Sequence, residues 1–275
     1  MKPIIVRGGG DLATGTIYRL SKSGYPVIIL ESRKPSAIRR LVSFCQAVYE
    51  GTMEVEGMVC TLVESLEEAL EKAAPGNPVL LVDEEAACLK GYHPDILIDG
   101  ILAKRNLGTS RDMAEMTIAL GPGFEAGKDV DYVIETKRGH YLGKIIDSGF
   151  AIANTGIPGV IGGYGKERVI HAPCSGMFHQ RHEIGDWVEA GESIGWIEGE
   201  HGSVEVCAEI PGVLRGIIQD GFFVTEHFKT ADVDPRKESA AYCALISDKA
   251  KCIAGSVLEL VCGYEKGMIK KNHEN

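Results

Sequence analysis

The sequence predicts an α/β protein: a Rossmann-like parallel sheet with a Gly-rich middle segment, then a β barrel-sandwich hybrid domain and a C-terminal helix. Three observations carry this expectation. From Met1 to Ala103, short apolar runs alternate with helical stretches. From Val169 to Phe228, a Pro/Gly-punctuated β pattern occurs twice. Near the C-terminus, Ala250, Ile253, Ala254, Val257, Leu258 and Val261 mark one apolar helix face.

The first element is Pro3-Ile4-Ile5-Val6, a short apolar run that reads as a buried strand. Arg7-Gly8-Gly9-Gly10-Asp11-Leu12-Ala13-Thr14-Gly15 follows, and Ile17-Tyr18-Arg19-Leu20 looks helical. Gly8, Gly10 and Ala13 fit the G-x-G-x-x-G/A pattern of a dinucleotide-binding turn. Gly8 permits the tight turn, Gly10 leaves room for a pyrophosphate, and Ala13 lets helix and strand pack closely. The helix N-terminus then offers N–H groups and a partial positive charge to an anion.

A second strand, Pro26 to Leu30, ends in Glu31, where an acid suits a ribose 2′-OH. Arg33 and Lys34 could instead hold the 2′-phosphate of NADP, so the choice between NAD and NADP stays open. The plainer reading is a tight turn that serves packing alone, with the two cations on a solvated loop.

Pro35 and Ser36 open an expected helix over Ala37 to Val42, and Ala47 to Glu50 reads as a strand. Ser65 is an expected N-cap for Leu66 to Lys72, with Glu68 in capping-box position. Val79 to Val82 and Asp95 to Asp99 are further strands. Sheets of this kind bind ligands at the carboxyl ends of their strands. The candidate cofactor-binding set is therefore Arg7, Gly8, Gly9, Gly10, Asp11, Thr14, Glu31, Arg33 and Asp99; Asp83 shares the same edge.

Glycine and proline become dense between Leu107 and Gly165, notably in Leu120-Gly121-Pro122-Gly123-Phe124 and Thr155-Gly156-Ile157-Pro158-Gly159. Arg138 and His140 lie in this stretch. They could bind an anion or move a proton, or serve structure alone. The repeated β pattern resembles biotinyl and lipoyl domains, but the hairpin Glu198 to Ser203 lacks the lysine those domains modify. Biotin and lipoate are not expected. His171, Cys174, His179, His182 and Cys207 do not space as a metal shell, so no metal is expected either. The domain boundaries that follow are 1–105, 106–168, 169–235 and 236–275.

The 275 residues suit about two domains. A net charge of -10 argues against a nucleic-acid surface. No membrane span and no signal-peptide core are evident, so a cytoplasmic protein is the expectation. The eight scattered cysteines read as free thiols.

Several strings are distinctive: Arg7 to Gly15, Pro35 to Arg40, Asp99 to Gly108, Leu120 to Phe124, Val133 to Gly143, Asn154 to Gly159, Gly212 to Gly216, Asp232 to Arg236 and Ser247-Asp248-Lys249-Ala250. On these the chain resembles the YqeB-type accessory proteins of selenium-dependent molybdenum hydroxylase systems. The resemblance implies an accessory or maturation role, a hydroxylase or its maturation proteins as partner, and a nucleotide or molybdopterin-type ligand. A homo-oligomer is compatible with it. The alternatives are an NAD(P)-dependent oxidoreductase and a selenium-inserting enzyme that uses Cys174. No catalytic residue is assigned.

Overall fold

The N-terminal apolar run forms β1 (Ile4–Arg7), buried at every residue, in a computed structural model that describes residues 2–154, 156 and 159–269. Continuous burial fits a strand covered on both faces. α1 (Asp11–Lys22) follows and buries Ala13, Ile17 and Leu20. β2 (Val27–Glu31) then pairs in parallel with β1.

The next segment is helical where a strand was expected. Ala47–Glu50 is a single helical turn, α2, closed by Gly51 at φ +78°. A four-residue apolar run has no period that separates strand from helix. Of the expected helix over 37–42, only Arg40–Val42 is helical, as a 3-10 turn. β3 (Thr52–Val55) and β4 (Met58–Val63) form an antiparallel hairpin through Glu56 and Gly57, both at positive φ. Ser65 caps α3 (Leu66–Lys72), its Oγ accepting the Glu68 N–H at 3.2 Å.

The large sheet is completed by β5 (Val79–Val82), β6 (Ile96–Asp99), β7 (Met116–Leu120), β9 (Tyr132–Ile134) and β10 (Ile145–Ile146). β8 (Glu125–Ala126) pairs separately with β11 (Gly149–Phe150). Among the described residues the large sheet has nine strands, in the order β10-β9-β7-β6-β1-β2-β5-β4-β3. Its two ends are antiparallel, β3 on β4 and β10 on β9, and the interior is parallel.

α4 (Asp248–Glu265) closes this unit. Ser247 caps it, with Oγ accepting the Ala250 N–H at 3.2 Å. The helix buries Ala250, Ile253, Ala254, Val257, Leu260 and Val261. Leu258, expected on the buried face, is only partly covered, and Leu260 is buried instead. α4 packs along α1.

The remaining strands lie in a second unit: β12 (Val169–His171), β13 (Gly176–Gln180), β14 (Trp187–Val188), β15 (Ser193–Gly199), β16 (Gly202–Cys207), β17 (Gly212–Ile217), β18 (Phe223–Val224) and β19 (Lys229–Asp234). They form two four-stranded sheets, β12-β19-β17-β14 and β16-β15-β13-β18, with antiparallel pairing throughout. Ile170, Phe178, Ile197, Leu214 and Val233 share one core there. Ser36–Val42 leaves the first unit to join this one. Ile38 packs on its core, and the Ile38 carbonyl accepts the Ile217 N–H at 2.9 Å.

The expectation of a Rossmann-like parallel sheet followed by a barrel-sandwich hybrid is therefore corrected. The large sheet is mixed, and 3-10 turns at Ala87–Lys90 and Arg111–Met113 stand where helical crossovers would be needed. The other strands occupy separate antiparallel sheets. Apolar runs alternating with helical stretches reveal strands but do not fix the direction of every one. Of the Gly/Pro string 155–159, Thr155, Ile157 and Pro158 lie outside the described residues. No helix of the described residues is long and apolar enough to cross a membrane.

Candidate functional site

The parallel strands bring their carboxyl ends to one edge of the large sheet. Arg7, Glu31, Asp99, Leu120 and Ile134 end β1, β2, β6, β7 and β9 there. The loops that leave these strands build the edge. Gly8 has φ +89°, and a Cβ on it would lie 3.0 Å from the Ile101 backbone. Glycine is thus needed for both the turn and the close approach of the next loop.

Gly9 is held from three sides. Its N–H donates to Glu31 Oε2 at 2.7 Å. Its carbonyl accepts the Cys45 N–H at 2.9 Å and the Thr14 Oγ1 hydroxyl at 3.0 Å. Thr14 Oγ1 in turn accepts the Phe44 N–H at 2.9 Å, fully buried. The other Glu31 oxygen accepts the Ser32 N–H at 2.8 Å. Burial raises the Glu31 pKa, and the two N–H donors oppose that rise.

This arrangement corrects the Rossmann-like nucleotide-binding reading. In a dinucleotide site the acid at the end of the second strand faces a ribose, and the turn stays open to phosphate. Here the acid binds the turn itself, and the segment around Phe44 and Cys45 sits on it.

Arg7 and Asp99 also face inward. Arg7 Nη1 donates to Thr109 Oγ1 at 2.6 Å, and Thr109 Oγ1 donates to Asp99 Oδ2 at 2.6 Å. Arg7 Nη2 donates to the Glu84 carbonyl at 2.8 Å. Both charged residues are almost fully buried. Burial raises the Asp99 pKa, while Thr109 and the Ile101 N–H lower it. Asp83 turns its oxygens to the Ala87 and Cys88 N–H groups, each at 2.8 Å. Arg33 is exposed.

The open part of the edge lies at Gly10 and Asp11. Gly10 is the N-cap of α1, and a Cβ there would meet nothing within 4 Å. Asp11 Oδ1 accepts the Leu12 N–H at 2.9 Å. Close by in the electrostatics are Glu135 and Lys249. Glu135 is buried and accepts the Lys137 and Ile152 N–H groups, each at 2.7 Å. Arg138 grips Asp248 with two hydrogen bonds, at 2.7 and 3.0 Å, which ties the start of α4 to the loop after β9. This pairing holds the Asp248 pKa down at about 2.

Lys249 is the residue that sequence reasoning passed over. Burial first, and Arg138 second, push its pKa below the ordinary lysine range; Asp11, Glu135 and Asp248 pull the other way. Its string, Ser247 to Ala250, was legible as a helix cap but not as part of an edge built by residues so distant in sequence. Two further signs mark this edge. Leu102 and Lys104 sit at φ +60° and +62°, and Gly123 packs on the Arg105 backbone. Strained positions of this kind concentrate at functional sites.

Lys249 brings a positive charge into the electrostatic reach of the start of α1, where Asp11 accepts the Leu12 N–H, and Lys249 can exchange a proton. His140 is exposed on its turn. Cys174, in the second unit, packs partly buried against that unit's core. Among the described residues no group of His, Cys, Asp or Glu could hold a metal ion.

No family model matches the chain. Among solved structures, it is similar to a succinylglutamate desuccinylase/aspartoacylase from Rhodobacter sphaeroides, with TM-score 0.28, 10% identity, and 86% of this chain and 85% of that chain covered. An aspartoacylase family protein from Mesorhizobium loti gives TM-score 0.28 and 13% identity, covering 86% of each chain. Uncharacterized protein YqeB of Escherichia coli (strain K12) is 47% identical over 256 residues, which is 93% of this chain and 46% of that protein. The chain is thus similar to YqeB over nearly its whole length, as the sequence strings suggested, and spans about half the length of that relative.

Proposed function

We propose that this chain is part of an accessory or maturation factor for a selenium-dependent molybdenum hydroxylase, and that it holds a molybdopterin-type ligand at the carboxyl edge of the large sheet. The observation that carries this reading is the electrostatic influence between Lys249 and Asp11 at the start of α1, next to Gly10, where an added Cβ would meet nothing within 4 Å. A molybdopterin-type ligand bears phosphate, to which an ammonium group and helix N–H groups are complementary. The strings that carry the resemblance support it further. Arg7 to Gly15, Asp99 to Gly108, Leu120 to Phe124, Val133 to Gly143 and Ser247 to Ala250 come from five parts of the chain and gather at this edge.

Lys249 would neutralise the phosphate, the Gly10 backbone would allow close approach, and the Leu102 to Arg105 loop would border the ligand. The bound group would supply any redox chemistry of the hydroxylase it is destined for. The test is anaerobic titration of the chain with molybdopterin cofactor released from a purified hydroxylase, followed by its fluorescence. Binding is expected, weakened about tenfold or more by Lys249→Met. A host lacking the protein should make the hydroxylase polypeptide in normal amount but with little activity. Absence of binding, with full hydroxylase activity in that host, overturns the proposal.

A further inference from the structure

The second unit holds its own concentration of charge, on β17 and β19. Asp232 and Asp234, two residues apart on β19, lie on one face of the strand and are buried. Arg168 Nη2 lies 3.3 Å from Asp232 Oδ1. Arg215 binds Asp232 Oδ2 through Nε at 3.0 Å and through Nη2, and its Nη1 is 4.0 Å from Asp234 Oδ2. Arg236 holds Asp234 through Nε at 2.9 Å and Nη2 at 2.8 Å.

The result is a ladder of three guanidiniums on two carboxylates. Arg39, which acts on Cys243 beside the ladder, and Glu238, which acts on Arg236, leave the same surplus of one positive charge. The surplus is notable in a chain of net charge -10. The backbone adds to the case. The β17–β19 register slips between Leu214 and Gly216, so Arg215 stands at the irregularity. Such irregularities re-aim a side chain, and they are frequent beside functional sites.

Two buried donors remain unused. Among the described residues, neither Arg168 Nε nor Ser239 Oγ has a hydrogen-bond partner. Ser239 lies on the 3-10 turn Lys237–Tyr242, which packs against β17. Side-chain exposure rises along the ladder, from 4% at Arg168 to 25% at Arg215 and 48% at Arg236, so the cluster opens to solvent at one end. A balanced ion-pair clasp would need neither the surplus charge nor the idle donors.

We propose that this ladder is an oxyanion site that takes a phosphate-type dianion, either free phosphate or the phosphoryl group of a small ester. Forked guanidinium groups suit tetrahedral oxyanions, which accept several N–H donors at once. Arg215 and Arg236 would meet the anion first. The site is independent of the hydroxylase reading, since it lies in the other unit.

The test is calorimetric titration of the full chain at low salt with inorganic phosphate and, separately, glycerol 3-phosphate. Tighter binding of inorganic phosphate identifies the free ion as ligand; tighter binding of the ester identifies a phosphoryl group. Arg236→Gln, at the exposed end, should weaken binding by about tenfold. Arg215→Gln should weaken it at least as much if the variant folds. Asp234→Asn should strengthen binding, because it removes a competing carboxylate, and phosphate should restore the melting temperature this variant loses. No binding by the wild-type chain to either probe overturns the proposal. So does binding that Arg236→Gln and Asp234→Asn leave unchanged, which would mark the ladder as a structural clasp.

Discussion

Gly15 of α1 and Ala250 of α4 touch so closely that a Cβ on Gly15 would lie 2.7 Å from the Ala250 Cβ and 3.1 Å from the Ala250 carbonyl. This contact sets the distance between the two helices. It also sets where Lys249, one residue earlier on α4, stands relative to the start of α1. Packing at the helix crossing and chemistry at the sheet edge are therefore linked.

The contact gives a paired prediction. Gly15→Ala should destabilise the protein by about 1–3 kcal/mol, because α4 must shift to admit a methyl group. Gly255→Ala, on the same α4, meets nothing within 4 Å. It should stabilise by about 0.5–1 kcal/mol, the usual gain on replacing a helix-interior glycine. Urea denaturation of both variants checks this; equal signs would mean that the helices do not meet at Gly15.

Truncating the α4 core should be expensive in proportion to burial. Ile253 is fully buried, whereas Leu258 is partly covered. Ile253→Ala should cost about 2–5 kcal/mol, and Leu258→Ala clearly less. Thermal melts of the two variants should rank in that order.

Lys249 should give an alkaline signature. Its folded pKa lies below the ordinary lysine value, burial being the main cause. Between the two values the unfolded chain binds more protons, so stability should rise with pH across that window. In Lys249→Met the rise should be smaller. Nitrogen-detected NMR should place the Lys249 titration below the ordinary lysine value.

Glu31 should behave in the opposite sense at acid pH. Burial raises its folded pKa above the ordinary glutamate value. From that ordinary value up through the folded pKa, the folded state keeps the proton that the unfolded state has lost. Stability contributed by this group therefore falls as pH rises through the window. Glu31→Gln, which cannot ionise, should flatten that part of the curve. A slope identical to wild type would show that Glu31 is not buried on the Gly9 N–H.

The sequence itself determined the local pieces. The strand at Ile4–Arg7, the glycine turn, the helix behind it and the strand ending at Glu31 are written in adjacent residues. So are the caps at Ser65 and Ser247. Each follows from backbone propensities and hydrogen bonds that span only a few positions. What only the tertiary structure decided is who faces whom. Cys45 and Glu31 close on Gly9, Thr109 joins Arg7 to Asp99, and Ser36–Val42 departs to the second unit. Gly15 admits Ala250, which brings the start of α4, with Lys249, up against α1. Apolar patterning shows that a segment is buried, not which partner covers it or in which direction a strand runs. Those choices belong to close packing between segments far apart in the chain, where a methyl group's worth of space selects the contact.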